Sequence, residues 1–227
     1  MKRTLISLCL GTSVLAAGAS HMAFAQSAPA AAQTTYDPFT DRASVAADLA
    51  RVDASLNATG SFQGDFRQIS PDGSIATGQI WLQRPGKMRF EFKAPSPLLI
   101  VSDGVTMTQR DSALETEDRV PLSATPFDYF LKENVNLAND TEIVGLIKRP
   151  DVWLVSARDG SGENEGTLTL VFDANTLALQ QWIISDDFGG QTRVELSNLR
   201  YNGVVDPYLF ILRDEPRQRG GSNRRRN

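Results

Sequence analysis

Residues able to do covalent chemistry are scarce in this chain. Its 227 residues include one histidine, His21, and one cysteine, Cys9. Both fall in the first 25 residues, which read as an export signal. Lys2 and Arg3 precede an apolar run over 5–19, and Ala23-Phe24-Ala25 supplies an A-x-A cleavage site. The run is short for a membrane span, and Cys9 lies too early for a lipidation site beside the cut. Cleavage there starts the mature chain at Gln26 and leaves 202 residues with no histidine and no cysteine. Disulfides, Cys/His metal sites, Ser-His-Asp triads and histidine general bases are thereby excluded. Carboxylate pairs, Ser-Lys dyads and oxygen-ligand metals remain. Glu115, Glu117 and Asp118 could form half of a hard-metal site, but read more simply as a solvated loop or strand edge. Asp187-Phe188-Gly189 is turn chemistry, and the glycines of 160–166 precede no long helix that could hold a phosphate. No enzyme and no cofactor is expected.

Charge narrows the partners. Loss of Lys2 and Arg3 takes the basic side chains from 23 to 21, against 27 acidic ones, so the mature chain carries a net charge of −6. Nucleic acid is not an expected partner. Arg224-Arg225-Arg226, behind Gly220-Gly221-Ser222, reads as a solvated tail.

Non-covalent chemistry is better represented. Phe62, Phe66, Ile80, Leu82, Met88, Phe90, Phe92, Leu99, Val101 and Met107 share one strand parity when the hairpins are taken as regular. A closed core would bury such a set. Its aromatic and methionine content also suits an adaptable apolar pocket, with Met88 placed at the mouth by the turn Pro85-Gly86. Arg84 shares the parity of Ile80 and Leu82. An inward guanidinium needs hydrogen-bond acceptors, and the carbonyls of a helix over 127–131 are candidates; otherwise Arg84 is a strand end reaching solvent.

The elements that must position these residues follow from periodicity. Residues 26–33 are Ala/Pro/Gln-rich and read as a flexible leader. Val45, Leu49, Val52 and Leu56 recur at helical spacing, with Thr40 or Asp41 as N-cap and Asn57 and Gly60 at the end. From Ser61 the period is two, broken by turn dipeptides. Thr125 as N-cap and Pro126 at the first helical position predict a second helix, whose greasy face is Phe127, Phe130 and Leu131. The expected fold class is mainly β (α+β). It is a strongly curved antiparallel sheet, or incomplete barrel, of about ten or eleven strands, with apolar helices lying over its concave face.

Several segments resemble a known family, the periplasmic carriers of outer-membrane lipoproteins, LolA. They are Ser61-Phe62-Gln63-Gly64-Asp65-Phe66-Arg67-Gln68; Gly78-Gln79-Ile80-Trp81-Leu82-Gln83-Arg84-Pro85-Gly86-Lys87-Met88-Arg89-Phe90; Pro95; Val101-Ser102-Asp103-Gly104; Thr125-Pro126-Phe127; and Asn202-Gly203-Val204-Val205-Asp206. The likeness runs from about Val45 to Phe210 and loosens after Pro150. It divides the chain into a signal peptide (1–25), a flexible leader (26–39), a carrier domain (40–212) and a disordered basic tail (213–227). The resemblance implies a monomeric periplasmic chaperone that shields lipoprotein acyl chains. It would take them from the inner-membrane LolCDE transporter, with LolB as an outer-membrane receptor. It also implies a helical lid over an apolar cavity, with Arg84 bonding the lid when the cavity is empty. Acyl chains would lie against Phe66, Ile80, Leu82, Met88, Phe90, Phe92, Leu99, Val101, Phe127, Phe130 and Leu131. Met88 stands at an aromatic position of the family and Phe90 at its tryptophan position, while the arginine-rich tail departs from the pattern. Two other readings stay open: a lipid-sensing regulatory domain of the RseB type, and a carboxylate-based periplasmic hydrolase.

Overall fold

A computed structural model describes residues 34–36, 42–161 and 166–212. The signal segment, most of the leader and the basic tail lie outside the described residues. One antiparallel sheet organises the chain. In chain order its strands are Thr34–Tyr36 (β1), Ser61–Ile69 (β2), Ile75–Gln83 (β3), Lys87–Phe92 (β4), Leu98–Asp103 (β5), Thr106–Asp111 (β6), Thr116–Pro121 (β7), Glu142–Lys148 (β8), Val152–Arg158 (β9), Thr167–Asp173 (β10), Leu179–Ser185 (β11) and Gln191–Tyr201 (β12). The spatial order is β1-β8-β9-β10-β11-β12-β2-β3-β4-β5-β6-β7. Two successive meanders are therefore joined through the β12–β2 pair, and β1 and β7 are the free edges.

The twelfth strand, one more than expected, is β1. Thr34–Tyr36 fall in the segment expected to be a flexible leader, yet pair with Leu146 to Lys148 of β8. Backbone pairing on an open sheet edge is indifferent to the side-chain composition that suggested a leader. At the opposite edge, β7 exposes Glu117, Asp118, Arg119 and Pro121. Glu117 accepts hydrogen bonds from Arg110 (2.8 Å) and from Arg119. Its carboxylate is held below the ordinary range by those two guanidinium groups, and the acidic run protects a strand edge.

Among the described residues, three α-helices lie on the sheet. Arg42–Ala58 (α1) buries Val45, Leu49, Val52 and Leu56, the stripe visible in the sequence. Asp128–Leu131 (α2) is a single turn, shorter than expected. Thr125 does not cap it: its hydroxyl donates back to Leu122 O at 2.7 Å, at the end of a preceding 3-10 turn, and Phe127 holds the N-cap position. Leu137–Asp140 (α3) had no signal in the sequence and is capped by Asn136. The core fills the space between these helices and the concave side of the sheet. A final 3-10 turn, Pro207–Phe210, is capped by Asp206, whose side chain accepts from Tyr208 N. It packs on the convex side over β4 and β5, where Arg89 Nη1 donates to Leu209 O at 3.1 Å.

Candidate functional site

The concave side between β2 and β6 is built from alternate residues. Phe62 and Phe66 of β2, Ile80 and Leu82 of β3, Met88, Phe90 and Phe92 of β4, and Met107 of β6 are all buried there. Arg89 and Glu91, on the opposite parity, face outward and pair with each other at 2.9 Å. Two cross-strand features set the shape. Phe66 pairs with Gly78 in the β2–β3 ladder, and its ring occupies the space that a side chain at Gly78 would need. Phe66 then meets Phe90 and Phe92 edge-on, at ring separations of 5.0 and 4.9 Å.

Leu99 and Val101 do not belong to this surface. Their register partners are Glu91 and Arg89, on the convex face, and Val101 is buried there outside the main core. On β5 the inward residues are Leu98, Ile100 and Ser102, with Ile100 opposite Phe90 and Ser102 opposite Met88. The connection from Lys93 to Pro97 is irregular, so strand parity cannot be carried across it.

Met88 is 1 % exposed and thus enclosed, not at an open mouth. The lid reaches over the β3–β4 turn: Gly86 N donates to Leu131 O at 2.8 Å, and Ser102 Oγ holds Gly86 O at 2.7 Å. Phe130 and Leu131 are fully buried, and Phe127 packs partly buried against the same core.

Arg84 follows β3 directly and keeps its inward parity. Its Nε and Nη2 donate to Phe130 O at 3.0 and 2.6 Å, and Nη1 donates to Thr59 O at 3.1 Å and to Leu56 O. The guanidinium therefore joins the carbonyl ends of both α1 and α2. The last carbonyls of a helix have no partner within it, and a delocalised cation is well matched to them. The sequence pointed to acceptors on the second helix; those on the first depend on how α1 returns to β2, and no local pattern records that. Burial pushes the Arg84 pKa down to about 10, still far enough above neutrality to keep it charged.

Trp182 of β11 was missed. It is fully buried and central, with its ring 5.8 Å from Phe90, 5.9 Å from Phe127 and 5.9 Å from Phe130. Apolar residues occupy both parities of 179–184, and a bulge leaves Gln180 without a partner between Leu179 and Gln181. Leu179 and Trp182 both turn inward as a result. A tryptophan in a strand was the one available signal.

Among the described residues, little space is left beneath the helices beside Arg84. Beside Arg84 a cleft of about 20 Å³ remains, lined by Leu56, Phe62, Leu82, Phe130, Leu179 and Tyr201 among others. That is room for about one water, against the roughly 300–1,000 Å³ of a small-molecule pocket. With the helices placed as they are, that cleft is too small for an acyl chain.

The family model "Outer membrane lipoprotein carrier protein LolA" matches residues 57–213. An outer-membrane lipoprotein carrier protein of Chromobacterium violaceum is 27 % identical over 175 residues, covering 74 % of this chain and 84 % of the relative. One of Chromohalobacter salexigens is 28 % identical over 177 residues, covering 71 % and 80 %. Among solved structures, a LolA superfamily protein from Nitrosomonas europaea aligns over 72 % of this chain and 97 % of its own, at 10 % identity and a TM-score of 0.43. With the model matched over 57–213, from the end of α1 past the final 3-10 turn, the chain belongs to the LolA family of outer membrane lipoprotein carriers.

Proposed function

We propose that this protein is a periplasmic chaperone that binds the acyl chains of lipoproteins released from the inner membrane and carries them to the outer membrane. The observation that carries the reading is the clamp of Arg84 on the carbonyls of two helices, set over an aromatic concave face. Each buried methylene is worth about 0.8 kcal/mol, so a sixteen-carbon chain is worth on the order of 10 kcal/mol. Cargo of this kind does not cross water unshielded, and a carrier that held it with the full value would not release it. A closed, hydrogen-bonded empty state supplies the opposing free energy. Loading breaks the Arg84 bonds and separates Phe127 and Phe130 from Trp182; unloading restores both. No covalent step is involved. The donor in this reading is the LolCDE transporter and the acceptor a LolB-type receptor.

Mass spectrometry of what purifies with the exported protein tests the proposal. Triacylated lipoproteins or diacyl phospholipids are the expected companions. Recovery of neither, together with failure to accept lipoprotein from inner-membrane vesicles, would overturn it.

A further inference from the structure

Trp182 presents a chemical problem that the closed state does not solve. Its indole Nε1–H is buried and has no hydrogen-bond partner. Buried donors are nearly always bonded, and an exception calls for an explanation. The rings around it, Phe90, Phe127 and Phe130, offer no acceptor in their planes. A bridging water would need two or more polar partners there. Phenylalanine would fill most of the same space without an orphan donor, so packing alone does not account for tryptophan.

Position suggests what the donor is for. Trp182 stands on the sheet directly beneath the lid, touching both lid phenylalanines. Displacement of α2 uncovers the indole, and whatever replaces Phe127 and Phe130 meets it. A hydrocarbon tail brings no acceptor. The ester linkage of an acyl chain brings one carbonyl oxygen, at the junction between apolar chain and polar head.

We propose that Trp182 Nε1–H donates a hydrogen bond to an ester carbonyl of the bound lipid, making the site selective for ester-linked over ether-linked chains. The proposal rests on the carrier reading above and adds a polar specificity contact to it. The donor is left unpaired when the site is empty and paired when it is loaded, so its bond favours the loaded state and opposes the Arg84 clamp. Two residues on either side of the lid then set the balance between holding and release.

Two lipids with the same head group and chain length separate the cases: dipalmitoyl phosphatidylglycerol, with ester carbonyls, and dihexadecyl phosphatidylglycerol, with ethers. The purified protein is expected to bind the ester lipid about tenfold more tightly, the size of one hydrogen bond. The preference should fall to near unity in Trp182→Phe. In the nitrogen-edited proton spectrum, the Trp182 indole signal, one of three in the chain, should move downfield with the ester lipid and not with the ether lipid. Equal affinity of the wild-type protein for both lipids, or an unchanged preference in Trp182→Phe, overturns the assignment. If Trp182→Phe does not fold, the wild-type comparison and the indole signal decide alone. Failure of both lipids to bind at all overturns this assignment, whereas the carrier reading falls only if the protein also fails to accept lipoprotein from inner-membrane vesicles.

Discussion

Arg84 sets the energetics of the lid at the scale of one side chain. Its donors reach Phe130 O, Thr59 O and Leu56 O, and hydrogen bonds from a charged donor are worth about 1.5–3 kcal/mol each. Arg84→Leu removes all of them and leaves three carbonyls without that donor. The expected phenotype is normal or faster loading, with transfer to an acceptor slowed at least about tenfold; normal unloading in a reconstituted transfer assay would reduce Arg84 to a strand end. Arg84→Lys keeps the charge but loses the planar fork, and should fall between. The clamp is not a pH switch. Burial holds its folded pKa, about 10, below the unfolded value, so the folded state binds fewer protons only at alkaline pH, between the two. Stability gains from this group as pH rises through that window and is flat in the neutral range. Met88 lies in the same enclosed region. A carboxylate there can be hydrated only by lifting the lid. Met88→Glu is accordingly expected to lower the melting temperature and to speed amide exchange at residues 127–131. Lid protection equal to that of the wild type would contradict the enclosed placement.

Elements carry the next level of constraint, because each helix is held at a few defined points. α1 is tied at its C-terminal end by Arg84 and by Asn57, which exchanges hydrogen bonds with the backbone of Val135. Midway, Asp48 takes Lys148 Nζ at 2.7 Å, and the Trp153 ring lies 4.5 Å from that ammonium and 4.7 Å from the Arg51 guanidinium. With side-chain exposures of 26 % and 10 %, the Lys148–Asp48 pair is neither fully buried nor free in solvent. Lys148→Met should cost about 1–2 kcal/mol, between the surface and buried cases, seen as faster amide exchange in the first half of α1. No change in that half would show that the apolar stripe alone holds the helix. In the sheet, Gly78 admits the Phe66 ring against its Cα, with the Glu91 carbonyl also in the way of a side chain. Gly78→Ala is expected to destabilise by about 1–3 kcal/mol through overpacking, measured as a lower urea midpoint. Phe66→Leu should relieve only part of that, since the Glu91 carbonyl stays in place.

For the molecule as a whole, the open sheet is the feature that makes a lid useful. A barrel closed between β1 and β7 would fix its interior volume, whereas an unclosed sheet can change curvature when its helical cover lifts. Lipid loading should therefore raise amide exchange in α2 and in the C-terminal turn of α1, while the β9–β10 ladder, far from the lid's hydrogen bonds, stays protected. Uniform loosening of the whole sheet would argue against a hinged lid. Export is checked separately: mass analysis of the protein recovered from the periplasm is expected to show an unmodified N-terminus at Gln26. An acylated protein in the membrane fraction would remove the carrier reading.

Much of this was legible in the chain because it is local. Alternation over 78–92 identified Ile80, Leu82, Met88 and Phe90 as one face, since successive side chains of an unbroken strand point to opposite sides. The inward Arg84 followed from the same count, and the α1 stripe from helical spacing. Where the strand is interrupted, the count loses its reference. The irregular link over 93–97 moved the inward face of β5 from Leu99 and Val101 to Leu98 and Ile100, and the bulge at Gln180 hid Trp182. Other features exist only after distant segments meet: the acceptors on α1 for Arg84, the cover of Phe127 and Phe130 on Trp182, and the edge pairing of β1. Periodicity records which side chains share a face. Register and long-range packing decide what that face meets, and hence which donors are satisfied and which are left waiting for a ligand.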